Sequence, residues 1–233
     1  LGHDTMMTAM AASPDSRYIA TGSTDGTVII WRGATGPQKM LLEMPRSAES
    51  KHVFSLHFSD TSEFLAGICA HNLLIWRVID GVQVTSVGGV LPLFREEVHG
   101  LSISPLHSFL LAWSFDIVSV VRRTTTRTAQ GCLAHDVSLH IILHGHEEQV
   151  RDGCFSPCER YIATACHDFT VRLWSTRDGE LLWTFRDHDN MVTEVVFSPD
   201  GRVLASVDDD GRVRIRPLSM FVRDVPVSSV NNT

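Results

Sequence analysis

YIATGSTDGTVIIW (residues 18–31) returns further along the chain as YIATACHDFTVRLW (161–174), with Tyr, Ile, Ala, Thr, Asp, Thr, Val and Trp in the same register. Self-similarity at a fixed period marks a repeat architecture. Anchored on its turn residue, the pattern recurs at Asp25, Asp168 and Asp210, with weaker copies at His71 and Asp116. Successive separations are 46, 45, 52 and 42 residues. A second shared element lies upstream of each anchor: AASPDSR (11–17), HFSDTSE (57–63), SISPLHS (102–108), CFSPCER (154–160) and VFSPDGR (196–202). Five units, approximately 1–45, 46–92, 93–138, 139–185 and 186–230, account for nearly the whole of a 233-residue chain, expected as one domain over 1–233.

Each unit reads as four short strands. The first ends at the Phe-Ser-Pro element, where Pro and Asp or Gly favour a turn. The second is the apolar run opening with Tyr18-Ile19-Ala20. Asp25-Gly26 makes a tight hairpin, because Gly accepts the positive φ such turns demand. The third strand, Thr27 to Trp31, then sets Val28 and Ile30 on one face. A fourth follows, such as Glu180 to Phe185. No segment sustains helical periodicity over three turns, so the fold class is all-β. One four-stranded sheet cannot bury both of its apolar faces. Neighbouring sheets on either side can, which is the physical reason to repeat the pattern.

Composition narrows the function classes. Net charge is −7 and only Lys39 and Lys51 supply lysine, a balance opposed to a nucleic-acid coat, which needs a basic surface. No apolar run approaches the roughly eighteen residues of a membrane span. No secretory pattern follows Leu1. The five cysteines, Cys69, Cys132, Cys154, Cys158 and Cys166, form no C-x-x-C pair. Reduced thiols in a cytoplasmic or nuclear compartment are expected.

Gly-His dipeptides open units one and four (Gly2-His3 and Gly145-His146), and His188 holds the same place in unit five. From His to turn Asp is 22 residues each time: 3 to 25, 146 to 168 and 188 to 210. Trp31 and Trp174 lie six residues beyond their Asp, and Thr21 and Thr164 four before it. With these residues the chain resembles the WD-repeat family of β-propellers. The resemblance implies a hydrogen-bonded Trp–Ser/Thr–His–Asp tetrad inside each blade: His3, Thr21, Asp25 and Trp31; His146, Thr164, Asp168 and Trp174; and His188, Ser206 and Asp210, with Arg216 at the Trp position. The chemistry is sound in itself, since a buried indole N–H needs an acceptor and a hydroxyl both accepts and donates. Units two and three keep Trp76, one residue early, while Glu49 and Phe94 stand where His would. The family usually closes a ring of seven blades, so five units imply a fragment of a longer propeller, an open arc or a small ring. Arg212, Arg214 and Arg216 alternate and share one strand face. That favours an arc whose last blade turns a polar face outward.

Catalysis is not expected. His3 with Asp25, or His188 with Asp187 and Asp189, resembles an acid–base pair, but a tetrad repeated in three units is structural, and no hydrolase elbow, phosphate loop or zinc-protease motif occurs. No metal site is expected: His140 and His144 stand about 13 Å apart on an extended strand, and His146 belongs to a tetrad. Asp208-Asp209-Asp210-Gly211 lacks calcium-loop spacing. No cofactor or small-molecule substrate is implied. RRTTTRTAQG (122–131) reads as a surface loop.

The resemblance further implies that protein partners dock where the Asp turn and the loop after Gly-His emerge. That selects the third and fifth residues after His and the residue before Asp: Met6, Thr8 and Thr24; Gln149, Arg151 and His167; Met191, Thr193 and Asp209. Weaker alignment adds His52, Phe54 and Ala70, then Glu97, His99 and Phe115. Arg151, Phe54 and Phe115 stand out because arginine and aromatics are enriched at hot spots. The expected function is a non-catalytic scaffold or sensor binding a protein or peptide. A substrate receptor of a cullin-type ubiquitin ligase is the alternative, although Trp174-Ser175-Thr176-Arg177 lacks the Asp of the family's Trp-Asp-x-Arg sequence. A propeller-based hydrolase ranks behind both.

Overall fold

The computed structural model describes residues 2–33, 39–43, 52–59, 61–69, 72–87, 98–105, 108–127 and 133–222. Among these residues nineteen strands form five antiparallel sheets, one per repeat. Blade one holds β1 (Met7–Ala12), β2 (Tyr18–Ser23), β3 (Thr27–Arg32) and β4 (Lys39–Glu43). Blade two holds β5 (Val53–Phe58), β6 (Phe64–Cys69), β7 (Asn72–Arg77) and β8 (Gln83–Val87). Blade three holds β9 (Gly100–Ile103), β10 (Phe109–Trp113), β11 (Val118–Arg127) and β12 (Leu133–Leu143). Blade four holds β13 (Val150–Phe155), β14 (Tyr161–Cys166), β15 (Val171–Ser175) and β16 (Leu181–Phe185). Blade five holds β17 (Val192–Phe197), β18 (Val203–Asp208) and β19 (Val213–Pro217), three strands among the described residues. Those residues include no α-helix, only a 3-10 turn at Leu218–Met220, and no helix long and apolar enough to cross a membrane.

The shared serine element, Ser-Pro in four units and Ser59-Asp60 in the second, is a hydrogen-bonded turn built five times. Ser13, Ser59, Ser104, Ser156 and Ser198 each donate their N–H to the carbonyl five residues on and accept that residue's N–H on the side-chain hydroxyl. In four blades the turn needs a left-handed residue three places after the Ser: Ser16, Ser62, Glu159 and Gly201, with φ of 60°, 58°, 56° and 69°. This turn, rather than the tetrad, makes blades two and three repeats of the others.

Packing runs blade on blade. One apolar cluster joins Ala20, Val28 and Ile30 of blade one to Val53, Leu56 and Trp76 of blade two. A second joins Ile68 and Ile75 to Leu101 and Leu110 of blade three. A third sets Leu111 and Trp113 against Ile162 and Trp174 of blade four, and a fourth sets Leu173 and Phe185 against Val195 and Leu204 of blade five. Gly100 has to be glycine, because a Cβ there would lie 2.1 Å from the Trp113 ring. Among the described residues no cluster joins blade five to blade one. The blades therefore form an open, propeller-like arc.

Two expectations fail on strand geometry. Residues 122–127, read as loop, continue β11 and pair with β12 in a long hairpin; the threonines of this run are β-branched and favour a pleated sheet. Residues 128–132 lie outside the described set. The arginines of β19 also face the other way. Arg216 pairs with Leu204, whose side chain belongs to the core shared with blade four, so Arg214 and Arg216 look inward along the arc, while Arg212 lies exposed before the strand. The opposite face carries Val213 and Ile215, 59% and 69% exposed. Arg216 accepts burial because Asp187 takes its Nε and Nη2 at 3.0 and 2.6 Å and the Phe185 ring lies 4.7 Å from its guanidinium carbon. At the other end of the arc, Ile19 and Leu41 stand exposed on the first blade's outer face.

Candidate functional site

Blade four contains a complete four-residue polar network. Trp174 on β15 donates its indole N–H to Thr164 Oγ1 at 2.9 Å, and Thr164 on β14 bonds His146 Nε2 at 2.7 Å. His146 Nδ1 lies 2.8 Å from Asp168 Oδ2. Asp168 Oδ1 accepts both the N–H and the hydroxyl of Thr170. A carboxylate only accepts, so Nδ1 carries the proton, and the neutral ring accepts the Thr164 hydroxyl at Nε2. Every proton has one place to go. Burial lowers the His146 pKa, against the opposing pull of Asp168. Burial works to raise the Asp168 carboxyl, but hydrogen bonds from His146 and Thr170 outweigh it and hold it well below the usual carboxylate range.

Blade one runs the same chain with one more hydroxyl. Trp31 Nε1 donates to Thr21 Oγ1 at 2.8 Å, and Thr21 meets His3 Nε2 at 2.8 Å. His3 Nδ1 then meets Thr27 Oγ1, not Asp25, at 2.8 Å, and Thr27 donates to Asp25 Oδ1 at 2.7 Å. In blade five His188 Nε2 bonds Ser206 Oγ at 2.7 Å, and Arg216 Nη1 donates to the same oxygen at 2.9 Å, taking the indole's part. The acid is not Asp210. His188 Nδ1 bonds Asp208 Oδ2 at 2.8 Å, while Asp210 is exposed in the turn. Asp208 ends β18 with its side chain toward His188, and two residues further the chain has already left the sheet. The hydrogen bond from His188 lowers the Asp208 pKa.

The sequence reading missed Thr27, Asp208 and the donor role of Arg216. The run Asp208-Asp209-Asp210 held a signal for the second, because only its first member continues the alternation of Leu204 and Ser206. His146, Cys166 and Asp168 bring ligand-type atoms within 4.8 Å of one another. Both nitrogens of His146 are already bonded, however. The Cys166 thiol, pushed up to about 12 chiefly by burial, donates to the Glu148 carbonyl at 3.1 Å. The three groups are thus each hydrogen-bonded within the fold.

The residues selected for docking occupy corresponding places at one rim. Thr24 N–H bonds the Met6 carbonyl at 3.0 Å, His167 that of Gln149 at 2.9 Å and Asp209 that of Met191 at 2.9 Å. One backbone bond thus joins the third residue after His to the residue before the turn position in three blades. Met6, Phe115, Arg151, Met191 and Asp209 are exposed. Thr8 and Thr193 are engaged: Thr8 donates to the Val53 carbonyl of blade two at 2.7 Å, and Thr193 to Val207 at 3.2 Å. Phe54 is half-buried on the second cluster, with His52 and His99 rings 5.9 and 6.3 Å away. Desolvation and then the positive charge of Arg151 lower the His167 pKa, against Asp209 and Glu148. These four groups make a mixed-charge patch across blades four and five. Ala70 and Glu97 lie outside the described residues.

Comparison with known proteins agrees with this geometry. The family described as WD domain, G-beta repeat matches residues 1–32, 137–175 and 179–216. Periodic tryptophan protein 2 of Arabidopsis thaliana is 28% identical over 214 residues, 91% of this chain and 22% of its own length. WD repeat-containing protein 18 of Danio rerio is 25% identical over 223 residues, 90% of this chain and 50% of its own. Nuclear distribution protein nudF 2 of Talaromyces marneffei is 48% identical over a shorter stretch of 64 residues, 28% of this chain and 14% of its own. The chain therefore spans half or less of each of these relatives.

Proposed function

The chain is a WD-repeat protein, and we propose that it acts as a non-catalytic platform holding a protein or peptide partner on the rim that carries Met6, Phe115, Arg151, His167, Met191 and Asp209. Members of this family are generally non-catalytic scaffolds. The observation that carries the reading is the backbone bond repeated at Met6–Thr24, Gln149–His167 and Met191–Asp209. It fixes the same two positions in blades one, four and five, so side chains differing from blade to blade are presented from a rigid frame. Rigid presentation lowers the ordering cost of association. Exposed Arg, Met and Phe among those side chains are the types enriched at interface centres. The histidines and carboxylates of the tetrads are hydrogen-bonded within the fold in three blades, and that repetition supports a structural role for them. Free cysteines at Cys69, Cys154, Cys158 and Cys166 suit a reducing cytoplasmic or nuclear setting.

The test is affinity capture with the chain as bait, followed by Arg151→Glu. Arg151 is exposed, so the variant is expected to melt like the parent while the captured partner falls at least tenfold. Capture undiminished by Arg151→Glu would remove the proposed rim. Adaptor and cullin peptides in the eluate would instead support a ubiquitin-ligase receptor.

A further inference from the structure

The rim opposite the Asp turns carries a cavity that none of the foregoing uses. It opens between blades three and four, where β10 begins and β15 ends, and its volume is about 660 Å³. Arg122, Arg160 and Arg177 line it, and all three are exposed. Arg122 lies over the Phe109 ring, 5.8 Å from its centroid, and that ring is backed by Phe155. Stacking holds the guanidinium plane while leaving its N–H edge free to donate. Among the described residues none of the three guanidiniums has a carboxylate at ion-pair distance. Glu159 lines the cavity as its one acid, and Asp178 acts on Arg177 only through its charge.

A second, independent observation lies in the wall. Thr176 is 3% exposed, and its hydroxyl has no hydrogen-bond partner. Its backbone N–H is tied to the Arg160 carbonyl at 2.9 Å, which fixes the residue against the cavity it lines. A buried hydroxyl without a partner is destabilising unless something supplies one. Three arginines against one glutamate around the opening, with the unpartnered Thr176 hydroxyl buried in its wall, suit a ligand with several strong acceptors and two negative charges. A phosphate monoester fits that description better than a carboxylate, which has two acceptor oxygens and one charge. The opening is also wider than a lone anion needs. It has the size of a site that takes a side chain together with its neighbours.

We propose that this cavity binds a phosphorylated side chain on a partner's peptide segment, with Arg122, Arg160 and Arg177 on the phosphate oxygens and Thr176 donating its hydroxyl to one of them. The site is separate from the rim assigned above. The two can be lost independently.

Fluorescence polarisation of the full chain with a phosphoserine peptide pool of degenerate flanks, and with the same pool unphosphorylated, tests this. The phosphorylated pool should bind at least tenfold more tightly, and more weakly as salt rises. Arg177→Glu, an exposed change that leaves the core alone, should abolish the preference; Thr176→Val should weaken it several-fold. Melting curves check that both variants fold, and if Thr176→Val does not, Arg160→Glu takes its place. Equal binding of the two pools, or a preference unchanged in Arg177→Glu, would overturn the site. Inorganic phosphate competing as tightly as the peptide pool would overturn the peptide assignment.

Discussion

Blades four and five hold a histidine in the same place and surround it differently. Around His146 the donor is Trp174 and the acid is Asp168 in the turn. Around His188 the donor is Arg216 and the acid is Asp208 at the strand end. The hydroxyl between them is the constant: Thr164 in one, Ser206 in the other, each accepting from a third-strand donor and giving its proton to imidazole. Blade one preserves the same centre through Thr21 and adds Thr27 before the acid. What the repeat conserves physically is a proton count around a buried oxygen, and several side chains satisfy it.

The largest effect should come from removing that oxygen. Thr164→Val strands two buried polar atoms, Trp174 Nε1 and His146 Nε2, and should destabilise the chain by about 2–4 kcal/mol in a denaturant titration. Ser206→Ala should do less, about 1–2 kcal/mol, because Arg216 keeps its bidentate bond to Asp187. Equal losses would break the comparison by showing that the donor's second partner contributes nothing.

Acidification should separate the blades next. The folded pKa of His146 lies below its ordinary 6.5, so the unfolded chain takes up this proton first. Stability contributed here is present above 6.5 and falls as pH drops from 6.5 toward the folded value. Asp168, also depressed, withdraws its contribution at lower pH, below its ordinary 3.8. His146→Gln lacks the first titration. The difference in melting temperature between the two proteins should therefore narrow as pH falls below 6.5, and a constant difference would show that His146 does not titrate with unfolding.

The smallest effect concerns the turn itself. Phe169 sits at φ 67°, where blades one and five have Gly26 at 83° and Gly211 at 77°. A bulky residue there is strained, so Phe169→Gly should stabilise by about 0.5–1 kcal/mol, a rise of a few degrees at most by calorimetry. A loss would mean that the half-exposed ring makes contacts worth more than the strain.

Much of this was legible in the residues. The serine turn declared itself five times because one hydroxyl has to meet one backbone N–H at fixed spacing, and the His, Thr and Trp positions followed from the same register. Asp208 was not legible from spacing, since three consecutive aspartates satisfy a turn equally well and only the direction of the side chain separates them. Thr27 was hidden because a hydroxyl inserted between His3 and Asp25 changes no residue of the motif. The arginines of β19 misled because alternation tells which residues share a face and says nothing about which neighbour that face meets. The partners of Arg216, Asp187 and Phe185, come from the preceding blade's last strand and the loop after it, a long-range fact. The docking rim was legible as positions, while the engagement of Thr8 and Thr193 depended on carbonyls in other strands.

The account turns on which acid serves His188. Thermal unfolding of Asp208→Ala and Asp210→Ala, side by side at neutral pH, decides it. Asp208→Ala should lose several degrees, since His188 Nδ1 and the Arg212 N–H both lose their acceptor. Asp210→Ala should melt with the parent. Loss in Asp210→Ala with Asp208→Ala unchanged would contradict the wiring described for blade five, and with it the idea that the buried hydroxyl, not the motif's spacing, organises the repeat.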